Sequence, residues 1–101
     1  MPSLTIISWR DIPAQVVVKR GRESAKVQLS ARFQEAVDRA AMRAGKGASD
    51  AYLADWKRSE PRTCGEDIQA EAAAEAARIE ARFSDADLEA LIRAKGLAAG
   101  A

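Results

Sequence analysis

The hydrophobic pattern of this 101-residue chain changes its period once, at Ser30. Before that residue, apolar side chains alternate with polar ones or form short β-branched runs, a pattern that favours strands. After it, apolar residues recur three and four positions apart, as in amphipathic helices. Because the strands come first and do not alternate with helices, the pattern indicates an α+β fold. We therefore predict one domain, residues 1–101, in which a three-stranded antiparallel sheet at residues 3–29 carries about four helices on one face.

The last two predicted strands form a hairpin whose register follows from its apolar residues. A four-residue turn at residues 20–23 sets only apolar residues opposite one another on one face, whereas a five-residue turn would set Lys26 opposite Val18. The predicted strands are residues 3–9, 14–19 and 24–29, and the predicted apolar pairs are Ala14 with Leu29, Val16 with Val27, and Val18 with Ala25.

Positive charge collects on the other face of this hairpin and at its tip. Residues 1–46 carry nine Lys or Arg against four Asp or Glu, and residues 47–101 carry seven against eleven. The excess in the first half indicates an anionic partner, a contact between the two halves, or ordinary solvated charge. Lysine on an edge strand also commonly prevents sheets from aggregating. The cations concerned are Lys19 and Lys26 on the face, and Arg20 and Arg22 at the tip.

The helix predicted at residues 31–44 has the clearest apolar stripe. Ser30 is a suitable N-cap, and Gly45 is a suitable residue to end the helix. Its other face is charged and includes Glu35 and Arg39 at i, i+4, so we expect this face to be solvated. The stripe consists of Phe33, Ala36, Val37, Ala40, Ala41 and Ala44.

A short helix and a long one are predicted next. The short helix follows Ser49 and stops before Pro61. After a loop, the long and slim helix begins near Glu66. The residues that we expect to face inwards are Tyr52, Leu53 and Trp56 in the first, and Ile68, Ala72, Ala76, Ile79 and Phe83 in the second.

The last predicted helix has the most complete N-terminal signal. Ser84 with Asp87 three residues later resembles a capping box, and Gly96 is placed to end the helix. The helical part therefore spans residues 31–95, and we expect residues 97–101 to fray. Leu88, Leu91 and Ile92 are predicted to face inwards.

Large core side chains are scarce, because much of the apolar content is Ala and only five residues are aromatic. Each aromatic residue is therefore predicted to lie centrally. They are Trp9, Phe33, Tyr52, Trp56 and Phe83.

The segment WRDIP, which joins the first two strands, allows two interpretations. Pro13 forces Ile12 into an extended conformation and Arg10 can pair with Asp11, which together indicate a shaped connection. Alternatively, Trp9 and Arg10 present an aromatic ring and a guanidinium to a partner, since these residue types often anchor interfaces.

The composition argues against catalysis and against a membrane span. The chain has no His, which removes the usual general base and the commonest metal ligand. A single Cys excludes an internal disulfide, and neither a leader pattern nor an apolar run of about 18 residues is present. We therefore expect a cytoplasmic protein that is not an enzyme and holds no cofactor or metal.

The chain has two candidates for a reactive group, one cysteine and one pair of glutamates. Cys64 precedes a helix, whose dipole favours a thiolate, but Glu60, Glu66 and Asp67 oppose a second anion nearby. Glu71 and Glu75 share a helix face at i, i+4, yet no His accompanies them, so solvated charge is the favoured interpretation.

Three segments resemble a known family. The stretches WRDIPAQV, RFQEAVDRAAMRAG and DAYLADW, within roughly residues 4–58, are similar to the small bacterial domain of the virulence factor family, seen chiefly in alphaproteobacteria. The acidic, Ala-rich end matches in general character only. The resemblance implies no agreed catalytic mechanism. It also implies an accessory role in folate- and cobalamin-dependent methyl transfer.

The sequence thus predicts a non-catalytic accessory protein that docks a cytoplasmic protein partner. A nucleic-acid-binding or regulatory protein that uses the basic first half is the alternative, although the hairpin has no aromatic residues for stacking on single strands. The sequence leaves the oligomeric state open. The residues predicted to contact the partner are Trp9, Arg10, Lys19, Arg20, Arg22 and Lys26.

Overall fold

A computed structural model describes residues 2–45 and 54–97 of the chain. It confirms an α+β architecture in which an antiparallel sheet precedes most of the helical residues. In the described ranges the sheet has five strands, and three helices of nine residues or more are present, where the sequence predicted three strands and about four helices. The elements are β1 Ser3–Trp9, β2 Ile12–Arg20, β3 Glu23–Gln28, α1 Ala31–Arg43, β4 Trp56–Arg58, β5 Arg62–Thr63, α2 Ile68–Arg82 and α3 Asp85–Arg93.

The hairpin of β2 and β3 has the predicted register. Val16 lies opposite Val27 and Val18 opposite Ala25, as the apolar pattern requires. The pairing continues to Arg20 and Glu23, so the turn has two residues and not four. Gly21 has φ +59° while the next residue, Arg22, has negative φ, which is the pattern of a type II′ turn, one of the turns whose twist matches that of paired strands.

Gly21→Val should destabilise the hairpin because a β-branched residue is strained at positive φ. No heavy atom lies within 4 Å of a Cβ built at this position, so the cost is conformational and not steric. We expect the free energy of unfolding to fall by more than about 1 kcal/mol, measured by urea denaturation. Gly21→Asn is the control, because Asn tolerates positive φ better and should cost less. Equal stability of Gly21→Val and the parent chain would contradict this account of the turn.

The second edge of β1 is covered by two short strands that the sequence analysis missed. β4 pairs with Ile7–Trp9 and β5 pairs with Ser3–Leu4. Trp56 therefore lies in a strand and not in the predicted short helix, and the predicted loop before α2 contains β5. The physical reason is that the backbone N–H and C=O groups along β1 need partners on this edge too. The start of the predicted helix, including Ser49, Tyr52 and Leu53, falls outside the described residues.

The three helices largely follow their predicted stripes. The predicted capping box is present in α3, where Ser84 and Asp87 each accept the other's backbone N–H. The N-cap of α2 is Asp67, which accepts from the N–H of Ala70 at 3.1 Å. Ser30 occupies the N-cap position of α1 without capping it, because its hydroxyl donates to Glu80 instead. None of the helices in the described ranges has the length of apolar sequence that a membrane crossing requires.

The core lies between the sheet and the helices. Phe33 of α1 is fully buried and meets Phe83 edge to face, with ring centroids 5.7 Å apart. Trp9 is also fully buried, whereas Trp56 and Phe83 are half-buried against the core. The central placement of Trp9 and Phe33 is thus confirmed. Other core members are Leu4, Ile12, Val16, Val18, Val37, Ile68, Ile79, Leu88 and Ile92.

The charged face of α1 is less solvated than predicted. Arg39 pairs with Glu89 of α3 at 3.3 Å, across two helices and not along its own. Arg32 binds both the carboxylate and the backbone carbonyl of Glu80 and reaches Asp85 at 3.2 Å. These ion pairs connect α1 to the two later helices. The paired residues are about fifty positions apart in the sequence, so local patterns cannot predict them.

Candidate functional site: the basic face of the hairpin

Trp9 and Arg10 form a buried corner of the fold. The Trp9 ring is 0 % exposed and lies so close to Gly96 that a Cβ there would be 2.7 Å from it. The Arg10 guanidinium stacks 4.9 Å from the ring centroid, pairs with Asp55 at 3.3 Å and donates to the carbonyl of Lys95 at 2.8 Å. The burial of this ring does not agree with the interpretation that it is offered to a partner. The segment is a shaped connection, but Arg10 pairs with Asp55 and Asp11 pairs with Lys57 at 3.1 Å, where the sequence indicated a pair of Arg10 with Asp11.

Arg20 is also engaged within the fold. Its guanidinium donates to the backbone carbonyl of Glu66 at 2.7 Å and pairs with Glu23 at 3.2 Å. The contact with Glu66 ties the hairpin to the segment just before α2, so Arg20 at the tip also holds the fold together.

Lys19, Arg22 and Lys26 are exposed, as predicted. Lys19 and Lys26 belong to the face of the hairpin opposite Val16 and Val18, because side chains alternate along a strand. Arg22 lies in the two-residue turn at the tip.

The structure adds Arg58 to this set. Arg58 of β4 is exposed and lies opposite Ile7 of β1, which lies opposite Gln15 of β2. Gln15 is on the same face of the sheet as Lys19, so Arg58 is on that face too. In the sequence, Arg58 falls near the end of the predicted short helix. No local pattern of residues indicates that it belongs to a strand of the sheet. We call Lys19, Arg22, Lys26 and Arg58 the basic face. Lys26 and Arg58 are on strands three spacings apart, about 14 Å at the backbone.

The cations of the basic face form no ion pair within residues 2–45 and 54–97. The described strands contain one acidic residue, Glu23, and it pairs with Arg20. Eight other cations in those ranges form ion pairs: Arg10, Arg20, Arg32, Arg39, Lys57, Arg62, Arg78 and Arg93. Within the described residues Arg43, Arg82 and Lys95 form none either, but each of these lies at or just after the C-terminal end of a different helix.

Uncharged residues lie between the cations. Val17 is 3 % exposed although it is not part of the main core cluster, and it pairs with Thr5 on one side and Lys26 on the other. Gln15 and Ile7 are half-buried in the next row. On the basic face, exposed cations therefore surround less exposed apolar and polar side chains.

The paired carboxylates of α2 have structural roles. Glu75 is buried and accepts from Arg62 and Arg78, each at 2.6 Å, so the solvated-charge interpretation is wrong for this residue. Burial opposes its ionisation, but the hydrogen bonds and charges of Arg78 and Arg62 outweigh that effect and lower the pKa of Glu75. Glu71 accepts from the N–H of Gly65 at 2.6 Å. Both carboxylates thus fasten the segment before α2 to the helix.

The surroundings of Cys64 disfavour a thiolate. Burial raises its pKa, and the nearby carboxylates of Glu71 and Glu66 raise it further, while Arg62 acts in the opposite direction. A thiol is a poor nucleophile without conversion to thiolate. Within the described residues, no group of three or more His, Cys, Asp or Glu side chains could hold a metal ion.

Comparison with known proteins gives one match. The model of the family described as "Virulence factor" matches residues 7–92. The match continues beyond the segments that carry the sequence resemblance and includes α2 and most of α3. No curated protein and no solved structure matches the chain.

Proposed function

We propose that this chain, which belongs to the virulence factor family, is a non-catalytic protein that docks the acidic surface of a protein partner on its basic face. The observation that carries the proposal is the grouping of four exposed cations that form no ion pair in the described residues, Lys19, Arg22, Lys26 and Arg58, on one sheet face and its hairpin tip, whereas eight other cations are paired. Exposed cations of this kind steer association with an anionic surface and set its salt dependence.

The proposed contact surface is narrower than the set of residues predicted from the sequence. Trp9, Arg10 and Arg20 support the surface through contacts inside the fold. Lys19, Arg22 and Lys26 remain as candidates for direct contact, and Arg58 joins them. A non-catalytic role is supported by the surroundings of the two candidate reactive groups, because burial and nearby carboxylates raise the pKa of Cys64 and two arginines bind Glu75.

Nucleic acid is the second candidate partner, favoured by the same unpaired cations. Proteins that bind single strands usually add aromatic side chains on which bases stack, and the hairpin, residues 12–28, has none. Trp56, two positions before Arg58 in β4, is on the same face as Arg58 but is half-buried against the core. This favours a protein partner. The family resemblance, and no feature of the structure, suggests an accessory role in folate- and cobalamin-dependent methyl transfer. In that role, the protein partner would be an enzyme of methyl transfer.

Removal of three charges from the basic face should weaken docking strongly and leave the fold intact. The variant is Lys19→Gln, Arg22→Gln, Lys26→Gln, and the matched control removes three exposed cations elsewhere, Arg43→Gln, Arg82→Gln, Lys95→Gln. Both triple variants change the formal net charge from +1 to −2. We expect each to keep the parent melting temperature within a few degrees, because exposed charges contribute about 0.5 kcal/mol or less each.

The measurement is affinity capture with the full chain as bait, followed by binding of the purified captured protein by biolayer interferometry. The basic-face variant should lose at least about tenfold in affinity, mainly through slower association, and the control should bind like the parent. Equal binding of both variants would contradict the proposal.

A parallel titration with unrelated DNA duplexes tests the second candidate. If three phosphates are contacted, raising the salt from 50 to 200 mM should weaken binding about 40-fold. Such a loss, shared by unrelated sequences and absent in the basic-face variant, would support a nucleic-acid binder and argue against the protein partner.

A further inference from the structure

The two edges of the sheet differ. Along β1, the chain's own residues fill the edge: β5 covers Ser3 and Leu4, β4 covers Ile7–Trp9, and Ser59 fills the gap between them. The Ser59 hydroxyl accepts from the N–H of Ile6 at 2.9 Å, and its N–H donates to the carbonyl of Ile6 at 2.9 Å. At the other edge, β3 has a paired neighbour on one side only among residues 2–45 and 54–97.

The orientation of the free backbone groups of β3 follows from one hydrogen bond. The N–H of Leu29 donates to the carbonyl of Ala14 at 3.0 Å, so the odd-numbered residues of β3 point their backbone groups towards β2. The even-numbered residues, Ser24, Lys26 and Gln28, therefore point theirs outwards. No hydrogen bond within the described ranges occupies these six N–H and C=O groups.

We propose that the free edge of β3 receives an extended acidic segment of the partner as an added antiparallel strand. The inference rests on the proposed function and specifies the form in which the partner is recognised. An added antiparallel strand would exchange two backbone hydrogen bonds with each of Ser24, Lys26 and Gln28. An exposed six-residue edge with unsatisfied backbone groups is the usual template for strand addition.

Side-chain alternation defines the sequence of the added strand. On one face its side chains would lie beside Lys26, with Lys19 one strand further and Arg22 at the tip, so acidic residues fit there. On the other face the nearest neighbour is Val27, which is half-buried at the rim of the core. Apolar residues fit that side. The expected segment therefore alternates acidic and apolar residues.

Charge also disfavours a second copy of this chain as the occupant. In an antiparallel pair of two β3 strands centred on Lys26, each Lys26 would face the other directly. Like charges in directly opposed positions destabilise a sheet. Since β3 has one acidic residue, Glu23, and that residue pairs with Arg20, a second copy brings no free carboxylate to this edge.

The probe is an eight-residue synthetic peptide in which Glu alternates with Val, blocked at both ends. It is compared with a Lys–Val peptide and with a Glu–Val peptide whose alternate amides are N-methylated, which keeps the charge and removes strand pairing. Binding is measured by fluorescence anisotropy with the full chain, and amide hydrogen exchange is followed by NMR. The variant Ser24→Pro removes one outward N–H without changing charge, and Ser24→Ala is its matched control.

We expect the Glu–Val peptide to bind and to slow the exchange of the amides of Ser24, Lys26 and Gln28. N-methylation and Ser24→Pro should each weaken binding about tenfold or more, Ser24→Ala should change it less than twofold, and the Lys–Val peptide should not bind. The peptide variants keep the test valid even if Ser24→Pro fails to fold.

Three outcomes would overturn the inference. If the N-methylated peptide binds equally well and the three amides are unprotected, while the basic-face variant loses binding, docking depends on charge alone and the proposed function stands. If the Glu–Val peptide does not bind at all, strand addition is excluded, and the captured protein decides the proposed function separately. If the three amides are already protected in a self-associated chain, the edge serves a dimer.

Discussion

Phe33→Ala is expected to lower the free energy of unfolding by about 3–5 kcal/mol, a large share of the stability of a domain of this size. Phe33 is completely buried, contacts Phe83 edge to face and supports the Arg32 guanidinium 4.8 Å from its ring centroid. Truncation removes the ring from the junction of α1 and the end of α2 and leaves a cavity that the surrounding elements only partly fill.

Thermal unfolding followed by circular dichroism measures this effect, and the melting temperature should fall by about 12 °C or more. Phe33→Leu is the matched control, because it keeps an apolar side chain and should cost much less. Met42→Ala, at an exposed position of the same helix, should leave the melting temperature almost unchanged. A melting temperature unchanged by Phe33→Ala would contradict the assignment of α1 as the core helix.

Trp9→Ala should also cost about 3–5 kcal/mol, and its effect should appear in stability and not in docking. The ring fills the corner between β1 and Gly96 and supports Arg10, which pairs with Asp55. Removing it therefore empties a large volume and loosens the guanidinium contacts that hold the chain around residues 95–96.

Two measurements separate this structural role from an interface role. Chemical denaturation gives the loss of stability, and binding to the captured partner is measured where Trp9→Ala is still folded. Affinity per folded molecule should match the parent, and Trp9→Phe should recover much of the stability. A folded and stable Trp9→Ala chain that no longer binds would return Trp9 to the contact surface and contradict the buried-corner interpretation.

The parts of the fold that could be predicted are those in which local patterns decide the outcome. A period of two fixes the pairing of Val16 with Val27, because a shift by one residue would expose the apolar face. The capping box of Ser84 and Asp87 lies within one helical turn, so its residues can be recognised from spacing alone. The apolar stripe of α1 was predictable for the same reason.

The short strands β4 and β5 could not be predicted because three and two residues are too few to show a period. Their conformation is set by the free edge of β1, which is distant in sequence. Long-range ion pairs have the same character. Arg20 contacts Glu66 and Arg32 contacts Glu80 only when the helices are packed, so neighbouring residues in the sequence do not predict these contacts.

The candidate site shows the same division. The exposure of Lys19 and Lys26 follows from the hairpin register and was predictable. The burial of Trp9 depends on Gly96, which is near the other end of the described chain. The sequence therefore left two interpretations of Trp9 open. Arg58 reaches the basic face through β4, so its role could not be inferred before that strand was known.

The corner at Trp9 has a consequence for synthesis in the cell. The Arg10 side chain binds the carbonyl of Lys95, 85 positions later in the chain, and the N–H of Asp11 donates to the carbonyl of Gly96 at 2.8 Å. These contacts cannot form until residues 95 and 96 have left the ribosome. The hairpin and α1 emerge much earlier and must wait with Trp9 uncovered. Closing so long a loop is slow, and aromatic surface exposed during that interval is what chaperones bind. Nascent chains of this protein should therefore depend on chaperones until Gly96 has left the ribosome.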